Sequence, residues 1–297
     1  MRDSNVRREA IREYVKKKHQ GQTKLVCKTR IRYPETAERE YQRVTNAYVR
    51  LLSKTLAEQL VPSIRKIAKE ELPPDYFRHD SEDGLMERLS DAFLKCSEAL
   101  EQEMSRFELH KRLDEIAALT VKLSIKEWKR AVKETLGLDL FDDYYAGRFY
   151  RMALEAWTQQ NVGLIKTIPK ESLDRMREIV MDGYRNGRTT TNIVKLIQKE
   201  YSTTRRHAQL LARDQIAKLN GDIAKQQQQD AGVEEYEWSD SRDERVRSRH
   251  AELNGKRFRW DNPPVVDERT GRRCHPGGDF QCRCVALPVF DIDTLDL

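Results

Sequence analysis

Hydrophobic positions along most of the chain recur at steps of three and four. Tyr41, Val44, Tyr48 and Leu51 fall on one helical face, and so do Met86, Leu89, Phe93, Cys96 and Leu100. No proline stands between Pro74 and Pro169, and no glycine between Gly84 and Gly137, so long uninterrupted helices are expected there. Cys96 lies on such a stripe and is expected to be a buried core thiol. Phe141, Tyr145, Phe149 and Trp157 have helical spacing and are expected in a core rather than around a ligand. Further on, a helix is expected to open near Pro169 and close near Gly187. A short helix TTTNIVKLIQKEY with threonine caps should follow, and then a longer one with Ala208, Leu211, Ala212, Ile216, Leu219 and Ile223 on one face.

The pattern changes beyond Gly232. The last 66 residues carry five glycines and four prolines, and apolar positions fall in short runs. VEEYEW (233–238), KRFRW (256–260) and CRCVALPVF read as strands. Asp243 is placed to cap a short helix, DERVRSRHAELNG, that Gly255 would end. The expected fold class is α+β: a mainly helical N-terminal region followed by a small mixed α/β C-terminal module.

Charge adds one division. The chain has a formal net charge of +6, but residues 1–32 hold eleven Lys and Arg against Asp3, Glu9 and Glu13, so the remainder is slightly acidic. Composition thus suggests a basic arm at 1–32, a helical region from 33 onward, a small mixed module at roughly 210–290 and an acidic, loose tail at 291–297. Arg7, Arg8, Lys16, Lys17 and Lys18 could bind a phosphate backbone without reading sequence, or could simply be solvated. No apolar run reaches membrane-spanning length and no signal-peptide pattern is present. A reducing cytoplasm is therefore expected, and it disfavours a disulfide framework.

Three of the five cysteines fall in CHPGGDFQCRC, 274–284. On the predicted short helix, Asp243, Arg247 and His250 are spaced i, i+4 and i+7. Arg247 could pair with Asp243, leaving His250 to face a strand from which Cys282 and Cys284 project together. His275, or Cys274 in its place, could supply a fourth ligand, and zinc favours such a mixture of thiolate and imidazole. The spacing is not one of the strong zinc patterns, so structural zinc, free buried thiols and a disulfide all stay open. Glycine-rich phosphate loops, a nucleophile elbow and an HExxH helix are absent.

The joint pattern WSDSRDERVRSRHAELNGKRF (238–258), NPP (262–264), HPGGDFQCRC (275–284) and ALPV (286–289) resembles the phage Mu F-like minor head proteins, also called the phage head morphogenesis domain. Upstream, LLARDQIAKLNGDIAK resembles the helix that precedes the module in that family, with Ala212, Arg213, Asp214 and Gln215 in the place of its "ART-E"-like segment. The resemblance covers about residues 165–290. It implies a non-enzymatic virion component, assembled in the host cytoplasm and associated with the portal protein and with major capsid or scaffolding protein. It also implies action in head morphogenesis and in DNA packaging or ejection. The basic arm would then lie against packaged DNA. Some relatives carry a Cys-x-x-Cys pair where this chain has Arg247 and His250. Trp238, Asp243, Arg245, Arg247, Gly255, Pro263 and Pro264 would be structural residues of the module. A competing reading is a metal-dependent hydrolase or nuclease using His250, His275 and nearby acids. It requires an open coordination position and a general base.

Overall fold

The computed structural model describes residues 2–71, 82–140 and 148–297. Apart from a short strand near the start of the chain that the sequence pattern does not announce, its elements follow the expected order of helices and then short strands. These are α1 (Arg2–Lys18), β1 (Lys24–Val26), α2 (Glu35–Thr55), a π-helical turn (Leu56–Leu60), α3 (Val61–Glu71), α4 (Glu82–Arg106) and α5 (Leu109–Leu136). They continue with α6 (Arg148–Arg185), α7 (Thr190–Asp230), β2 (Glu235–Ser239), α8 (Ser248–Leu253), β3 (Arg257–Arg259), β4 (Val265–Asp267), β5 (Arg272–Arg273) and β6 (Val285–Asp291). The α+β reading holds. No described helix is long and apolar enough to cross a membrane.

Two compact units form, each from separated stretches of chain: 1–38, 115–157 and 213–297 in one, 39–114 and 158–212 in the other. Composition suggested contiguous segments. The units are discontinuous because α6 and α7 each contribute residues to both.

The second unit is helical. Tyr41, Tyr48, Leu89, Phe93, Cys96 and Leu100 are buried as the periodicity requires, whereas Val44 and Leu51 are half-buried with Leu52 turned fully inward, and Met86 gives its place to Leu85. Burial pushes the Cys96 thiol up to about 11, as suits an inert core cysteine. Inside this core Tyr41 Oη donates to Asn161 Oδ1 at 2.6 Å, and the Ser172 and Thr204 hydroxyls meet at 2.7 Å.

Two expected helix boundaries are not there. α6 runs through Pro169 instead of opening at it. Ile165, Ile168, Leu173, Met176 and Val180 are buried on both sides of the proline, and this continuous stripe outweighs one missing backbone bond. α7 is likewise one helix of 41 residues rather than two. Ser202, Thr203 and Thr204 were read as a break. The helix continues through them, with their hydroxyls donating to the carbonyls of Gln198, Lys199 and Glu200 at 3.0, 3.2 and 3.0 Å instead of competing for the backbone in a cap or turn. The predicted threonine cap is present, with Asn192 N donating to Thr189 Oγ1 at 3.4 Å.

The first unit holds a four-stranded antiparallel sheet ordered β1-β6-β2-β3. β1 pairs Lys24 with Asp291 and Val26 with Val289, so residues near the two chain ends lie side by side. The basic stretch is therefore not a free arm, nor are the last residues loose. Ile292 and Leu295 are buried, Arg12 Nε donates to the Leu295 carbonyl at 2.9 Å, and Asp296 N donates to the Ala231 carbonyl at 2.9 Å. Arg8 pairs with Asp296 and Lys16 with Asp293, each at 2.5 Å. Apolar burial at Ile292 and Leu295 was hidden from a reading that attended to charge.

α7 carries the module on its C-terminal half. Gly221 and Gly277 let the helix and the HPGG turn touch: a Cβ at Gly277, where φ is +84°, would sit 2.7 Å from the Ala217 carbonyl oxygen, and one at Gly221 would sit 2.9 Å from that of Pro276. Gln228 joins the layers, donating to the Ala286 carbonyl at 2.9 Å and accepting from Trp260 Nε1 at 3.2 Å. Of the aromatic cluster proposed for 141–157, Trp157 is buried and donates to the Gln215 carbonyl. Phe141 and Tyr145 lie outside the described residues, as does the side chain of Phe149.

Candidate functional site

The module core consists of Tyr236, Trp238, Leu253, Trp260, Val266, Cys282, Cys284 and Ala286. Trp238 and Trp260 thus occupy the core positions expected of them. β2 supplies Tyr236 and Trp238 from alternate positions of one face. α8 brings His250 in from the other side, with its ring edge-on to Trp238 at 5.4 Å between centroids.

α8 is shorter than predicted, Ser248–Leu253 rather than the whole run from Asp243. Asp243 caps a turn instead, accepting from Arg245 N at 3.0 Å. Arg247 is the extended residue before the helix, with φ −67° and ψ 146°. The expected Asp243–Arg247 pair therefore does not form: Arg247 pairs with Asp279 at 2.9 Å, and Asp243 pairs with Arg283. Gly255 ends the segment as predicted, at φ +76°, with its N–H on the Trp238 carbonyl at 2.8 Å. Pro263 and Pro264 precede β4, and their carbonyls accept from Arg273 Nη1 at 3.0 Å and from Cys274 N at 3.3 Å.

Cys282 and Cys284 precede β6 rather than lying in it, because the β2 partner ends at Ser239 opposite Val285. Both still project toward His250, whose Nδ1 is 3.5 Å from each sulfur. The ligand atoms of His250, Cys282 and Cys284 all lie within 4.8 Å of one another, and all three side chains are buried. All five cysteines of the chain are free thiols.

His275 and Cys274 do not join this group. His275 Nδ1 is 2.9 Å from Tyr236 Oη, and the ring packs against Trp260 at 4.8 Å. Burial, helped by the Lys225 charge, holds His275 down at about 4, so it is a neutral core imidazole at physiological pH. Cys274 packs at the margin of the core cluster, and burial and the Asp279 charge push it up to about 12.

Asp279 is the residue that sequence reasoning missed. Buried, it accepts at Oδ2 from His250 Nε2 at 3.0 Å and from Arg247 Nη1 at 2.9 Å. Oδ1 takes Arg272 at 2.8 Å and Phe280 N at 2.9 Å. As the single acid in CHPGGDFQCRC it was visible, but nothing in its spacing pointed to His250. Asp214 on α7 is a second positioning residue. Its Oδ1 accepts from Gln281 N at 3.0 Å, fixing a residue with φ +50° just before Cys282.

Electrostatics divide the two thiols. Cys282 is held down at about 5 by the hydrogen bond from Cys284 and by His250, against the cost of burial. Cys284, the other partner in that bond, is pushed well up. For His250, burial works against the charged form, but the Cys282 and Asp279 interactions outweigh it and the net shift is upward. Both shifts run in the sense that favours a proton on His250 and its loss from Cys282.

One face of the group opens into a cavity of about 220 Å³, lined by His250, Cys282 and Cys284 together with Arg213, Arg245, Arg247 and Arg283. Three of these arginines are paired, with Glu38, Asp279 and Asp243 respectively. Arg245 makes no ion pair among the described residues.

Residues 174–287 match the sequence profile described as "Phage Mu protein F like protein", a span that contains α7 and every residue of the group around His250. This part of the chain is a phage Mu F-like region. An "uncharacterized protein" of Haemophilus influenzae is 38% identical over 138 residues, 46% of this chain and 30% of that protein. The chain thus spans less than a third of the length of the curated relative it matches. No solved structure matches it. Within the matched span the second half of α7 meets the mixed module, with the HPGG turn and the Gln228 bonds as the seam.

Proposed function

We propose that this chain is a minor head protein of a tailed bacteriophage or prophage, associated with the portal vertex and acting in head morphogenesis. The match of residues 174–287 to the phage Mu F-like proteins carries this reading. The helical part, 33–165, would dock on the portal protein and on neighbouring capsid or scaffolding protein. Assembly would take place in the host cytoplasm and the product would stay in the head. A part in DNA packaging or ejection would draw on Arg7, Lys17 and Lys18, which are exposed, while Arg8 and Lys16 are engaged by Asp296 and Asp293.

The role is structural rather than enzymatic. Supporting this, Asp279, the buried carboxylate beside His250, is committed to His250 and two guanidinium groups and so holds the imidazole in place rather than serving as a free general base. Co-expression with the portal protein, followed by size exclusion and mass determination, is the test. A complex of defined stoichiometry is expected. A folded protein that forms no complex and cleaves DNA with divalent dependence, losing that activity in His250→Ala, would replace this reading with the hydrolase.

A further inference from the structure

We propose that His250, Cys282 and Cys284 form a zinc site with three protein ligands, its fourth coordination position turned to the arginine-lined cavity and filled by water or an anion. The inference does not depend on the portal reading.

Three observations converge on it. The first is distance. Zinc bonds of about 2.3 Å to sulfur and about 2.0 Å to nitrogen, at a tetrahedral angle, place sulfur and nitrogen about 3.5 Å apart. The two Nδ1–Sγ separations are both 3.5 Å. The second is the far side of the ring. A metal-bound imidazole characteristically donates its other N–H to a carboxylate, which fixes the ring and raises its basicity. Here Nε2 meets the buried Asp279 at 3.0 Å, and Asp279 is itself held by Arg247, Arg272 and the Phe280 N–H. The third is burial. Three buried ligand atoms, one nitrogen and two sulfurs, are gathered within 4.8 Å of one another at the edge of a core that also holds Trp238, Leu253, Trp260 and Val266, and Nδ1 stands at the same distance from both sulfurs. A divalent cation satisfies both sulfurs and the nitrogen at once, releasing their protons.

The fourth position follows from what lies around the trio. His275 is turned to Tyr236, and the Cys274 sulfur is not in the close group. All three ligand residues border the cavity. Two thiolates neutralise a zinc ion, and Arg213, Arg247 and Arg283 are paired with Glu38, Asp279 and the cavity's own Asp243, so the net positive charge beside the open position is that of Arg245, which has no acidic partner among the described residues. That field favours hydroxide or a small oxyanion over a neutral ligand.

The test uses the full chain. Protein purified under reducing conditions and reconstituted with zinc should hold one equivalent by elemental analysis. Cys282→Ser, Cys284→Ser and His250→Ala should each lose it, while Cys274→Ser and His275→Gln keep it. Asp279→Asn should retain the metal with affinity lowered about ten- to a hundredfold. Cobalt substitution of the unaltered chain gives a readout that does not require any variant to fold. Thiolate-to-cobalt charge transfer and tetrahedral d–d bands are expected, and added inorganic phosphate or azide should shift the d–d bands. Failure of the unaltered chain to take up zinc or cobalt would overturn the site. A cobalt spectrum indifferent to both anions, with metal lost in Cys274→Ser, would overturn the open position.

Discussion

Asp279 has more consequence for the module than any residue the motif advertises. One buried carboxylate receives four donors: the His250 ring, two guanidinium groups and a backbone N–H. Replacing it by alanine leaves a buried imidazole and two partly exposed guanidinium groups without their acceptor. Asp279→Ala is expected to lower the free energy of unfolding by about 3 kcal/mol, measured by denaturant titration. His275 carries the opposite kind of demand. Its folded-state value of about 4 lies below the unfolded value, so the unfolded chain binds the proton first. The contribution is whole above pH of about 6.5 and is lost as pH falls toward 4. His275→Gln should flatten that acid limb in thermal melts, and imidazole NMR should show no titration of His275 near neutrality.

Among the elements, α7 decides most. Its hydrophobic face was legible because Ala208, Ala212, Ile216, Leu219 and Ile223 repeat at helical spacing, and all are buried. Its continuity was not legible, because Ser202, Thr203 and Thr204 have the composition of a break, whereas the buried stripe through Ile197, Thr204 and Ala208 continues across them and their hydroxyls turn back onto carbonyls four residues earlier. The glycines of the HPGG turn gave no sign of what they approach. Gly277→Ala would set a Cβ 2.7 Å from the Ala217 carbonyl oxygen at a positive φ. It is expected to cost about 1–3 kcal/mol and to lower the melting temperature, with the loss falling on the turn that leads to Asp279 and Cys282.

At the scale of the whole molecule, pairing β1 with β6 brings residues near the two chain ends together, and the ion pairs Arg8–Asp296 and Lys16–Asp293 neutralise part of the basic stretch. Salt-dependent DNA binding therefore rests on the exposed remainder. Arg7→Glu combined with Lys17→Glu should weaken sequence-independent DNA binding and reduce the slope of log affinity against log salt by about 2, in a fluorescence titration at several ionic strengths. Unchanged affinity and slope would remove the DNA contact from the proposed role.

The sequence alone determined the long helices of the middle of the chain, much of their buried faces and the change to short strands beyond Gly232, because periodicity and punctuation are local properties; β1, β4 and β5 carry no such local signal. It also brought His250, Cys282 and Cys284 under suspicion, since their chemistry is written in residue type. Only the tertiary structure decided that His275 turns to Tyr236, that Arg247 leaves Asp243 for Asp279, and that the two charged ends meet. Those outcomes depend on partners 32 to 288 residues away in the chain, where burial and hydrogen-bond geometry select among acids and cations that are equivalent by composition.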